Sequence, residues 1–74
     1  MYPNLNAEMA RLNITQLQIA YFLDKPIGWV HNRFQGRAIL DVKYAIEIHK
    51  QFFPELPFDY IFSNVPYKEL HDKK

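Results

Sequence analysis

Asn32 and His31 are neighbours in segment 26–35, and both side chains carry hydrogen-bonding groups suited to the edge of a base. The Asn32 amide offers a donor and an acceptor in one plane, the arrangement that pairs with N6 and N7 of adenine. The His31 imidazole can donate to a guanine acceptor or to a phosphate. Ile27 can pack on a thymine methyl. Arg33 and Arg37 bring guanidinium groups that neutralise phosphates, each adding to a salt-dependent attraction. A plainer reading stands beside each of these: Asn32 and His31 as solvated residues on an exposed helix, and the arginines as surface cations.

Charge is distributed unevenly. Nine Lys and Arg stand against eight Asp and Glu, a net charge of +1. Between Lys25 and Lys43, however, the four cations Lys25, Arg33, Arg37 and Lys43 are opposed by Asp41 alone. Such a stripe suits phosphate contact, and it also describes an ordinary solvated face. The residues needed for other chemistry are missing. There is no Ser/His/Asp set, and Gly28 and Gly36 are the only glycines, too few for a phosphate-cradling loop. His31, His49 and His71 are far apart in sequence, and there is no cysteine. The expectation is a protein without catalytic residues, cofactor or metal site.

The elements that must position these residues follow from apolar spacing and helix-ending residues. Segment 15–23 reads as a helix capped by Thr15, with Ile19, Ala20 and Leu23 on one apolar stripe. Asp24 and Lys25 form a turn, because Asp tolerates a left-handed backbone better than most residues other than glycine. A second helix over 26–35 starts at Pro26, whose missing N–H costs nothing in a first turn. Val30 and Phe34 face inward, and Gly36 suits a positive φ just past the helix end. Two helices joined in this way make a helix-turn-helix unit, whose second helix fits a DNA major groove.

The flanks complete an all-α fold. Segment 4–12 predicts a first helix capped by Asn4, with Leu5, Met9 and Leu12 inward and Glu8 and Arg11 in water. Tyr2 and Pro3 pack across its start, and Asn13 ends it. Asp41 caps a helix over 42–53, with Ala45, Ile48 and Phe52 as its core stripe and Val42 or Ile46 flanking. His49 beside that stripe is read as structural. After the Pro54 and Pro57 loop, 58–64 predicts a last short helix, with Phe58, Ile61 and Phe62 closing the core and Tyr60 partly exposed. The expected architecture is a compact bundle of roughly five short helices in one domain, 1–64, with the helix-turn-helix at 15–36 and a tail at 65–74.

With 74 residues, 49% of them hydrophobic and 16% aromatic, the chain can bury one small core. No apolar run approaches the roughly 18 residues of a membrane span. The N-terminal segment lacks a basic start and an apolar signal region. Together with the absence of cysteine, this predicts a cytoplasmic protein.

The order Ile14-Thr15-Gln16, Ile19-Ala20, Leu23-Asp24, Val30 and Phe34-Gln35-Gly36-Arg37 resembles the Cro/CI-type (lambda-repressor-like, or XRE) helix-turn-helix domains of phage and prophage regulators. Tyr44-Ala45-Ile46-Glu47-Ile48 and Phe58-Asp59-Tyr60-Ile61-Phe62 are similar to later segments of small regulators of this group. The resemblance covers about residues 4–63. It implies an operator-binding transcriptional regulator acting as a homodimer on double-stranded DNA. It further implies that Thr15 and Gln16 hydrogen-bond a phosphate. Ile27, Gly28, His31 and Asn32 take the positions that face base edges, and Arg37 and Lys43 lie near the backbone.

The sequence departs from the family pattern within the unit. Asp24 stands for the turn glycine, Lys25 for an apolar residue, Pro26 for a capping serine, Ile27 and Gly28 for a polar pair, and Trp29 for a small threonine. These departures motivate a second reading: a helix-turn-helix scaffold acting as an antirepressor or modulator that binds another regulator protein. Its surface would be Ile27 with Trp29, while Phe53, Phe58 and Tyr60 are the remaining candidates for a protein or dimer interface. Trp29 itself has three placements open to it: in the core, against a sugar-phosphate edge, or at a protein interface.

Overall fold

Three residues in the left-handed region divide the first half of the chain. Asn13 (φ 59°) closes one helix, Asp24 (φ 58°) the next, and Gly36 (φ 83°) follows the third. At each, two backbone bonds cap the helix end. Ile14 N–H donates to the Met9 carbonyl and Asn13 N–H to that of Ala10; Lys25 to Ala20 and Asp24 to Tyr21; Arg37 to Asn32 and Gly36 to Arg33. This paired pattern satisfies carbonyls that a helix end would otherwise leave without partners. The computed structural model describes residues 2–63. Within them lie five helices and no strand: α1 (Pro3–Leu12), α2 (Gln16–Leu23), α3 (Ile27–Phe34), α4 (Val42–Phe52) and α5 (Phe58–Ile61). The expected tail at 65–74 lies outside the described residues.

Thr15 starts α2 with a reciprocal cap. Its Oγ1 accepts from Gln18 N–H at 3.1 Å, and Gln18 Oε1 accepts from Thr15 N–H at 2.7 Å. Asp41 caps α4 by accepting from Lys43 N–H at 3.2 Å. Pro26 is not the first helical residue, as expected, but the N-cap of α3, with extended backbone (ψ 150°). Its carbonyl accepts from Trp29 and Val30 N–H. Lys25, preceding a proline, is biased away from helical backbone, which keeps the connection open for three residues.

The core gathers Leu5, Met9, Ile19, Ala20, Leu23, Val30, Phe34, Ala45, Ile48, Phe53 and Ile61. Truncating a ring such as Phe34 or Phe53 would cost about 3–5 kcal/mol, a large share of the stability of so small a domain. Several expectations about the core are corrected. Phe52 is only half-buried, its ring edge-on to Phe22, and Phe53 is the buried phenylalanine, 1% exposed. The reason is local. α4 ends one residue early, and the non-helical backbone of Phe53 (φ −135°, ψ 46°) turns its ring inward. Val42 and Ile46 are exposed, as is Leu12, which sits in the last turn of α1 beside a shallow groove lined by Phe52 and Leu56.

Asn4 is not a cap. α1 begins at Pro3, which needs no N–H there, and Asn4 is buried within the helix. Its Nδ2 donates to the Tyr60 carbonyl at 3.0 Å, tying α5 to α1. A second tie is nearby. The Tyr60 hydroxyl donates to Glu8 Oε2 at 2.8 Å, and Arg11 Nε donates to Glu8 Oε1 at 2.7 Å. Glu8 is therefore not a water-facing residue, and these two bonds, Tyr60 first, hold its carboxyl below the ordinary carboxylate range. His49 is structural in the same sense, its Nε2 lying 2.6 Å from the Leu56 carbonyl. The last helix is shorter than expected, ending at Ile61 with Phe62 as its cap; Asn64 lies outside the described residues. No helix among the described residues is long and apolar enough to cross a membrane.

Candidate nucleic-acid interface

Burial of Val30 and Phe34 fixes the orientation of α3. Residues four apart share a row along a helix, so the outer surface divides into three strips. On the crest, opposite the core, lie Gly28, Asn32 and the following Gln35, all exposed. On the α2 side lie Ile27 and His31, also exposed, with His31 Nδ1 3.3 Å from Gln16 Oε1. On the α4 side lie Trp29 and Arg33, both half-buried. A Cβ built on Gly28 would meet nothing within 4 Å, so no packing contact requires a glycine there.

The α4 side is the most built part of the surface. The Trp29 and Tyr44 rings meet edge-to-face, centroids 4.9 Å apart. Arg33 lies over Trp29, its Cζ 4.0 Å from the ring centroid, and its Nη1 donates to the Trp29 carbonyl at 3.3 Å. Lys25 Nζ reaches both rings at 5.4 Å, and Lys43 Nζ sits 5.0 Å from Tyr44. Three cations thus share two aromatic rings. The one ion pair among the described residues is Arg11 with Glu8, so Lys25, Arg33, Arg37 and Lys43 have no carboxylate partner there.

The structure brings Gln16 to His31, Lys25 and Arg33 to Trp29, and Lys43 to Tyr44. Thr15 is exposed but engaged in its own cap. Arg37 is exposed just past Gly36, beyond the end of α3. The interface candidates fare differently. Ile27 and Trp29 lie on different rows, so they do not form the one patch expected of them. Phe53 is buried and offers no surface. Phe58 is half-buried, its ring against His49 and Phe62, and Tyr60 is half-buried with its hydroxyl on Glu8. Tyr44 was missed by sequence reasoning. Its signal was weak: an aromatic residue next to Lys43 in the first turn of the helix that follows α3.

No group of three or more His, Cys, Asp or Glu side chains that could hold a metal ion occurs among the described residues. Compared with known proteins, the chain matches no family model, no curated protein and no solved structure.

Proposed function

We propose that this chain is a small DNA-binding transcriptional regulator that presents α3 to the major groove of an operator, as in the repressor-like helix-turn-helix domains it resembles. One observation carries the reading. The exposed crest of α3 holds hydrogen-bonding side chains above an unfilled Gly28, and it is bordered by cations that have no carboxylate partner among the described residues. Asn32 reads adenine, and His31, steadied by Gln16, donates to a guanine acceptor or a phosphate. Ile27 packs on a thymine methyl. Gly28 lets the backbone of α3 approach, and Thr15 opens α2 beside a phosphate. Arg37 reaches the backbone beyond the helix end. The protein works in the cytoplasm as a homodimer on two half-sites one helical turn apart.

The test is selection of a duplex from a random pool, followed by Asn32→Ala. Loss of one bidentate base contact lowers affinity for the selected site by about 5- to 150-fold and relaxes preference at one base pair. Unchanged affinity together with unchanged preference refutes the assignment. If the intact protein binds no duplex at low salt, the regulator-binding scaffold becomes the better reading, and it needs a surface other than the divided Ile27 and Trp29.

A further inference from the structure

We infer that Trp29 and Tyr44 form an aromatic floor that pre-positions Lys25, Arg33 and Lys43 as one clamp for the phosphate backbone of a single DNA strand. The inference rests on the DNA-binding reading above and deepens it. It gives Trp29 a binding role in place of the protein-interface role.

Every cationic group in the set lies within 5.4 Å of one or other ring centroid. Aromatic faces attract cations through the ring quadrupole, with no carboxylate needed to hold them. That distinction decides what the site can do. A cation paired with a carboxylate is already neutralised, whereas one held on a ring keeps its full charge for an incoming anion. The two rings come from different helices, and the cations come from the turn before α3, from α3 and from the start of α4. The cluster is therefore a product of the tertiary fold. The one carboxylate of the stripe, Asp41, is engaged by the Lys43 N–H at the α4 cap. Arg33 is further fixed by its bond to the Trp29 carbonyl. Long cationic side chains normally lose conformational freedom on binding, and here the floor has removed part of that freedom beforehand. The row lies beside the Gly28 and Asn32 crest. A strand whose bases face the crest would carry its phosphates past this side.

The test uses the full chain, fluorescently labelled duplex and anisotropy over a range of salt concentrations, with helicity of each variant checked by circular dichroism. Replacing Lys25, Arg33 and Lys43 together by Gln should reduce the slope of log affinity against log salt by about 2 to 3, since each phosphate contact contributes about 0.9. Base preference should be unchanged. Trp29→Leu keeps every charge but removes the floor. It should weaken binding about fivefold to a hundredfold through the ordering of two freed side chains, and Trp29→Phe should recover much of the loss. An unchanged slope in the triple variant, with Asn32→Ala still damaging, overturns the clamp and leaves the DNA reading standing. Wild-type affinity in a folded Trp29→Leu overturns the floor. A reduced slope while Asn32→Ala has no effect supports the clamp and overturns base reading. Saturable quenching of Trp29 by inorganic pyrophosphate, without any duplex binding, assigns the site to a small anion and overturns the backbone clamp.

Discussion

Gly28→Ala should make the protein more stable and worse at binding DNA. The structure sets the first half. A Cβ at Gly28 meets no heavy atom within 4 Å, so the new methyl displaces nothing. Gly36, not Gly28, is the glycine with positive φ among the described residues, so alanine suffers no backbone strain at 28. Glycine in a helix interior costs about 0.5–1 kcal/mol relative to alanine, and the first turn of α3 takes the lower end. A gain of about 0.5 kcal/mol raises the melting temperature of a domain this size by about 2–4 °C. The fold alone therefore gives no reason for a glycine at this position. A groove wall pressed against the crest, as the proposed DNA-binding reading requires, would supply one. An inserted methyl at a close-packed contact costs about 1–3 kcal/mol, equivalent to roughly 5- to 150-fold in affinity. Thermal melting followed by circular dichroism measures the first effect, and anisotropy with a selected duplex the second. A variant that melts higher and binds as well as wild type shows that the crest does not lie against DNA. One that melts lower shows that the space around Gly28 has been misjudged.

Asp24→Gly should stabilise the protein by about 0.5–1 kcal/mol, because Asp24 holds a left-handed backbone that costs glycine nothing. Equilibrium urea unfolding measures this, and a loss of stability would reveal a role for the carboxylate beyond the turn. Tyr60→Phe removes the hydrogen bond to Glu8 and should cost about 1–2 kcal/mol at neutral pH. The folded Glu8 carboxyl ionises below its ordinary value, so the stability it contributes is complete above that value and is lost as pH falls through the lowered one. The gap between wild type and Tyr60→Phe should therefore narrow in acid, and a gap constant with pH would remove Glu8 from the account.

What could be read from the sequence is what neighbouring residues decide. Asn13, Thr15, Asp24, Gly36 and Asp41 act on the backbone within a few positions, and each occupies the turn or cap expected of it. Where a long-range partner decides, the sequence misleads. Asn4 looks like a cap because its partner, the Tyr60 carbonyl, is 56 residues away. Phe52 and Phe53 exchange places because one residue more or less of α4 swings a side chain by about 100°. Spacing along α3 identified Val30 and Phe34 as the inward row, but it could not show which neighbouring helix borders each flank. The Ile27 and Trp29 patch was a misreading of spacing itself, since residues two apart on a helix point about 200° apart, whereas the Trp29–Tyr44 floor was invisible because it depends on where α4 packs.

The division of α3 into rows constrains how such a protein can reach specificity. Proline and two apolar or absent side chains open the helix, so on the proposed DNA-binding reading base recognition would fall mainly to Asn32 and His31. One good bidentate contact discriminates by about 1–3 kcal/mol, or roughly 5- to 150-fold per protomer. The four cations without a carboxylate partner among the described residues would meanwhile supply attraction that is indifferent to sequence. A single copy would therefore bind much DNA only slightly less well than its operator. Two copies on paired half-sites would multiply their discrimination to between about 25-fold and about 2 × 10⁴-fold, the upper end of which reaches the lower part of the range of specific regulators. On the proposed DNA-binding reading, a homodimer would be a requirement set by the poverty of the reading surface. Its interface has to be sought away from the buried Phe53 and the engaged Tyr60.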